Sequence, residues 1–191
     1  MINVEIWASG GGTNADAIMQ YFKGHLSIKV STLGCNRREA GAFSVATKHN
    51  IRSVYWDKES WNSTEILRQL KDRDIDFIVL AGFLKLVPAE VTAQYAGKIV
   101  NIHPSLLPKF GGKDMYGARV HNAVLESMES QTGITIHEVN EEFDKGKLLA
   151  QFSTPLSPGA ETLLSIQQKI QKLEHTNFAP TIEAWITSYS K

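Results

Sequence analysis

The chain has 191 residues, 42% of them apolar and 21% charged, with 20 basic side chains balanced by 20 acidic ones. That length suits one compact domain, 1–191, with its own core, and the charge balance argues against a nucleic-acid or membrane-surface binder. The single cysteine, Cys35, excludes an internal disulfide and a paired-cysteine zinc site.

Short β-branched runs alternate with helical patterns along the first half. Strands are expected at residues 2–7, 28–33, 53–55, 77–80 and 98–102, with helices at 15–23, 40–48, 63–72 and 89–95. Such alternation predicts βαβ units and a mainly parallel sheet, the Rossmann-like α/β class with helices flanking the sheet. After residue 102 the pattern changes. A Pro/Gly-rich stretch at 104–117 precedes a helix at 118–128, and strands at 132–139 and 148–152 face each other across the acidic loop 140–146. That arrangement reads as an antiparallel C-terminal portion. The tail, 161–189, reads as helix with a break just before Pro180. The start, MINVEIW, carries Glu5 and resembles neither a signal nor a transit peptide. No apolar run approaches the roughly 20 residues of a membrane span. A soluble, cytoplasmic protein is expected.

The first strand runs into Ser9-Gly10-Gly11-Gly12-Thr13-Asn14, followed by a helix. Glycines let the backbone turn tightly and approach a ligand, and the helix start offers free N–H groups to an anion such as phosphate. No Gly-Lys-Ser/Thr follows, so this is not a nucleoside-triphosphate loop. It fits the dinucleotide fingerprint loosely as Gly10-x-Gly12-x-x-Ala15. Where an acidic residue is expected at the end of the second strand, Cys35-Asn36-Arg37-Arg38 stands instead, which leaves an NADP-dependent oxidoreductase open. The plainer alternative is a tight turn capped by Thr13 or Asn14 with no ligand.

A second signal is Asn101-Ile102-His103-Pro104 at the end of the fifth strand. Two residues apart on an extended segment, Asn101 and His103 share a face. The pair suits acyl transfer, with an amide donor for an oxyanion and an imidazole that moves protons near neutral pH. A hydrogen-bonded strand end without chemistry would look the same. The four tryptophans, Trp7, Trp56, Trp61 and Trp185, read as packing residues, and Cys35 as a small buried one.

NIHPSLLPKF (101–110), LAGFLKLVP (80–88), SGGGTN (9–14), GITIHEVNEEFDKGKLLAQ (133–151) and LEHTNFAP (173–180) together resemble the folate-dependent formyltransferases, and among them the phosphoribosylglycinamide formyltransferases. The resemblance runs over nearly the whole chain. It implies transfer of the formyl group of 10-formyltetrahydrofolate, the co-substrate, to the amine of phosphoribosylglycinamide in purine biosynthesis. No metal, nucleic acid or membrane is implied, and a monomer or weak homodimer is expected.

Carried over by position, the resemblance implies that Asn101, His103 and Asp144 are catalytic. Gly12, Thr13 and Asn14 would hold the substrate phosphate and Glu174 would lie near the ribose. Folate would lie along Phe83, Leu84, Lys85, Leu86 and Val87, with Asn101, Asn140 and Glu141. His137 also matches a family histidine and is divided between a supporting and a site role. The chain departs from the family pattern at residues 111–117 and at Lys145-Gly146-Lys147, and neither Lys113 nor Arg119 can be preferred as a phosphate contact. A sugar-nucleotide formyltransferase remains the alternative within the superfamily.

Overall fold

Among the described residues, seven strands and six helices follow one another: β1 (Ile2–Ala8), α1 (Thr13–Tyr21), β2 (Ile28–Cys35), α2 (Ala42–Lys48), β3 (Arg52–Tyr55), α3 (Ser63–Asp72), β4 (Phe77–Leu80), α4 (Ala89–Gln94), β5 (Ile99–His103), α5 (Ala118–Glu126), β6 (Gln131–Glu138), β7 (Leu148–Pro155) and α6 (Leu163–Ser188). The structure is a computed structural model and describes residues 1–189. These residues form two compact units, residues 1–101 and those from Ile102 onward.

The first unit is a parallel sheet in the order β3-β2-β1-β4-β5. Its central strands read as continuous apolar runs because helices cover both faces. All four residues of β4 and the last five of β1 are buried. One of those β1 residues is Glu5, whose carboxylate receives the Arg73 guanidinium at 2.8 Å and the Trp7 indole N–H at 2.8 Å. Burial raises the Glu5 carboxyl above its ordinary range, and Arg73 works against that rise. A charge this deep persists only when it is paired. The start of α3 follows a local rule: Asn62 accepts the Glu65 N–H at 3.0 Å and so caps the helix.

The second unit contains the antiparallel hairpin β6–β7, with Ile134 opposite Phe152 and a register shift between Ile136 and His137. β6 is buried along most of its length, whereas β7 alternates between exposed and half-buried positions, as a strand with one solvated face does. The α/β class with a mainly parallel sheet, flanking helices and an antiparallel C-terminal portion is as expected. The break before Pro180 is not. α6 begins with a Thr162–Ser165 capping box and continues through Pro180. A proline inside a helix costs about 3 kcal/mol. Phe178, Ala179, Ile182, Trp185 and Ile186 are buried around it, and large apolar side chains each contribute roughly 1.5–3 kcal/mol, so burial outweighs the lost hydrogen bond. Among the described residues, no helix is long and apolar enough to cross a membrane.

Candidate active site

In the first unit the loops after β1, β2 and β4 leave the carboxyl edge of the parallel sheet, where open α/β sheets bind ligands. Ser9 ties them together. Its hydroxyl donates to Asn36 Oδ1 at 2.6 Å and accepts the Leu84 N–H at 3.0 Å, and its own N–H donates to the Gly82 carbonyl at 3.1 Å. The three glycines differ in what they require. Gly12 has φ 81°, and a Cβ there would lie 2.8 Å from the Ala42 Cα. Gly10 and Gly11 would meet nothing within 4 Å. Gly12 therefore shapes the loop, while the other two leave its outer face open.

α1 starts immediately after this loop, with no side-chain cap on its first turn. Its first N–H groups lack intrahelical partners and carry the positive end of the helix dipole. Asp16, the acidic residue of that turn, is paired with Lys48 at 2.9 Å and also meets the His49 ring. The His49 and Lys48 hydrogen bonds hold its carboxyl below the usual range. Thr13 and Asn14, the residues expected to hold phosphate, thus begin a helix able to receive an anion.

The segment expected to hold folate has an apolar wall and an open turn. Phe83 packs 5.4 Å from Trp7 and 5.0 Å from Trp61, centroid to centroid. Gly82 turns with φ 74° and open space beside it, and Leu86 is exposed. Leu84 and Lys85 are half-buried, and Val87 is buried. Of the four tryptophans, Trp7, Trp56 and Trp185 are buried as packing residues, and Trp61 is half-buried. Cys35 is fully buried. Asn101, half-buried, lies at the same carboxyl edge, opposite Leu80 of β4.

In the second unit the structure brings two histidines to one carboxylate. His103 Nδ1 lies 3.4 Å from Asp144 Oδ2, and His137 Nε2 lies 3.6 Å from Asp144 Oδ1. Both are ion-pair distances, long for hydrogen bonds. Asp144 Oδ2 also accepts the Gly112 N–H at 2.9 Å. The far nitrogen of each ring meets a backbone carbonyl: His103 Nε2 meets Phe110 O at 2.8 Å and His137 Nδ1 meets Glu138 O at 2.8 Å. Thr135 braces the loop supplying the Phe110 carbonyl. Its hydroxyl donates to Ser105 O at 2.7 Å and accepts the Leu107 N–H at 2.9 Å.

Burial pushes the His103 imidazole below its ordinary 6.5, with the Asp144 charge and the Phe110 carbonyl opposing and His137 reinforcing the fall. For Asp144, burial acts upward. The His137 contact, the His103 charge and the Gly112 N–H together outweigh it and hold the carboxyl below 3.8. The cluster therefore offers an ionised carboxylate beside an imidazole that releases its proton readily.

Sequence reasoning missed three participants. The Phe110 carbonyl and the Gly112 N–H are backbone groups with no side-chain signature. His121 on α5 is 8% exposed, and its Nδ1 is buried without a partner. Burial, with the His103 charge second, lowers its pKa as well. Its place on the apolar face of α5, between Val120 and Val124, was the available signal. Asn140 and Glu141 are exposed in the loop ahead of Asp144, and Glu174 is half-buried on α6. Arg119 stacks over the Tyr116 ring at 5.1 Å, and Lys113 is exposed.

The sequence profile of the formyl transferase family matches residues 2–182. The chain belongs to the formyl transferase family. Among relatives, it is 33% identical over 184 residues to the phosphoribosylglycinamide formyltransferase of Bacillus subtilis, spanning 93% of this chain and 91% of that protein. It is 34% identical over 186 residues to the chloroplastic phosphoribosylglycinamide formyltransferase of Arabidopsis thaliana. That match spans 94% of this chain and 63% of the plant protein, so the chain covers less than two thirds of the plant relative's length. The crystal structure of phosphoribosylglycinamide formyltransferase from Bacillus halodurans superposes with a TM-score of 0.84 at 37% identity, covering 94% of this chain and 92% of that one. A formyl transferase has use for an oxyanion donor and a proton-handling histidine, which the oxidoreductase reading left unexplained.

The two depressed histidines make a prediction about stability. In the unfolded chain His103 and His121 take up protons near 6.5, whereas the folded chain resists them. Where the unfolded state binds more protons, stability falls as pH falls. Stability is thus fully present above about pH 6.5 and is lost as pH drops from there towards the lowered folded values. A melting series from pH 8 to pH 5 should show this loss, and His121→Asn should flatten it. An unchanged slope in that variant would remove His121 from the account.

Proposed function

We propose that the chain, acting as one formyltransferase domain, transfers the formyl group of 10-formyltetrahydrofolate to the amine of phosphoribosylglycinamide in purine biosynthesis. The observation that carries the reading is the His103–Asp144 pair, 3.4 Å apart, in a formyl transferase family member. Bacterial relatives of that name, matched over most of their length, support the choice of acceptor. Cytoplasmic localisation is part of the same proposal.

Each residue has a role that its chemistry permits. The amine attacks the formyl carbon directly, so no enzyme nucleophile is needed. Asn101 donates its amide N–H to the oxygen that becomes negative in the transition state. Such donors contribute about 3–4 kcal/mol. His103 holds the proton destined for the departing folate nitrogen. In the structure its Nε2 meets the Phe110 carbonyl, so a shift of that carbonyl frees the N–H for the substrate. Asp144, kept ionised by its surroundings, stabilises the imidazolium and takes part in relaying the proton lost by the amine. Gly12, Thr13 and Asn14 hold the phosphate, Glu174 the ribose, and residues 83–87 with Asn140 and Glu141 the folate.

The test is formyl transfer measured with and without phosphoribosylglycinamide. Acceptor-dependent turnover is expected. Turnover independent of the acceptor would indicate hydrolysis of the formyl-folate. Folate binding without turnover would direct the acceptor search to amino sugars.

A further inference from the structure

Glu138 closes the hairpin end beside His137, and its N–H, its carbonyl and its carboxylate Oε1 are all engaged. Its N–H donates to the Lys147 carbonyl at 2.8 Å, and its own carbonyl lies 2.8 Å from His137 Nδ1. Its carboxylate accepts the Trp185 indole N–H at 3.2 Å and the Tyr189 hydroxyl at 3.2 Å, and lies 3.8 Å from the Lys147 ammonium. The side chain is only 16% exposed. Trp185 is in the last turns of α6 and Tyr189 caps it. A glutamate at a strand end ordinarily remains in water. This one reaches across to two neutral donors on the C-terminal helix.

The attachment bears on His137. The register shift between Ile136 and His137 re-aims the side chain, as bulges do. Because a carbonyl only accepts, the Glu138 carbonyl requires a proton on His137 Nδ1. Nε2 then faces Asp144 Oδ1 at 3.6 Å. Asp144 faces the ring and also meets His103 of β5, while the Glu138 carboxylate meets Lys147 of the loop and Tyr189 at the end of α6.

We propose that Glu138 is a positioning residue for the His103–Asp144–His137 cluster. By tying the end of α6 to the hairpin, it fixes the peptide carbonyl that turns His137 towards Asp144. The inference rests on the formyl-transfer reading and deepens it.

The experiment compares the full-length protein with Glu138→Ala, Glu138→Gln and Trp185→Phe. For Glu138→Ala, kcat should fall about 5- to 10-fold, the worth of roughly one hydrogen bond, with KM for both substrates nearly unchanged. The alkaline limb of the kcat profile should move to higher pH, because a misplaced His137 no longer helps to lower the His103 pKa. Glu138→Gln keeps an acceptor oxygen and should retain kcat within about twofold. Trp185→Phe loses one of the two donors and should fall between. Nitrogen NMR of the histidines should show the Nδ1–H form of His137 in the wild type and its loss in Glu138→Ala.

A Glu138→Ala protein with wild-type kcat and pH profile overturns the proposal. So does a glutamine variant as impaired as the alanine one, since charge rather than anchoring would then be responsible. Should Glu138→Ala fail to fold, the same comparison passes to Trp185→Phe. Failure of the formyl-transfer reading has a different signature: the wild type itself shows no turnover, while the His137 tautomer still reports on Glu138.

Discussion

Replacing His103 by alanine is expected to lower kcat for formyl transfer by about 100- to 10,000-fold, the range over which a positioned acid accelerates a reaction. The imidazole is 3% exposed and held at both nitrogens, by the Phe110 carbonyl and by Asp144. Water entering the vacated space would be a weaker acid and would not be held in line. Stability should respond little or even rise at acidic pH, because the side chain is one that resists protonation when folded. Asp144→Asn should reduce kcat comparably without changing the volume of the site. The asparagine keeps an acceptor for the Gly112 N–H but removes the charge that raises the His103 pKa. At a fixed pH less of the His103 acid would then be present. The readout is kcat against pH for both variants beside the wild type. An Asp144→Asn enzyme with wild-type kcat throughout would remove the carboxylate from the proposed proton relay.

The contrast between these residues and their supports shows what the sequence makes visible. The alternation of apolar runs with helical patterns indicated the parallel half, and β4 and α3 fall at the expected residues because FIVL and an asparagine-capped amphipathic run admit few other structures. His103 and Asp144 carried chemical identity in their side chains. The groups that orient them do not: the Phe110 carbonyl, the Gly112 N–H and the Glu138 carbonyl are peptide atoms whose direction is set by residues distant in the chain. Pro180 shows a related limit. Its local preference is to end a helix, and only the burial of Phe178 before it and Trp185 after it overrides that preference. His121 reads as one polar residue on an apolar face until the fold brings it near His103.

Gly146→Ala is expected to be the most damaging change of a single methyl group in this region. A Cβ at Gly146 would lie 1.6 Å from the Glu138 carbonyl oxygen and 2.6 Å from its carbonyl carbon. Both are backbone atoms in a hairpin, so no rotamer change relieves the clash. The Lys147 carbonyl, which receives the Glu138 N–H, would be forced away as well. Overpacking ordinarily costs about 1–3 kcal/mol, and a collision with fixed backbone belongs at the upper end. For a chain of this size that is a fall in Tm of roughly 6–12 °C. The displaced Glu138 carbonyl would release His137, and the loop carrying Asp144 two residues earlier would shift with it. A displacement of about 1 Å at a catalytic group costs on the order of 100-fold in rate, so kcat should fall by about that factor even where the protein remains folded. Gly10→Ala is the matching control. Its Cβ would meet nothing within 4 Å, so stability should remain within about 0.5 kcal/mol of wild type, and any effect should fall on KM for the phosphorylated acceptor. Equal losses of Tm in the two variants would mean that the hairpin yields at Gly146, and that its packing against the Glu138 peptide does not hold the cluster in place.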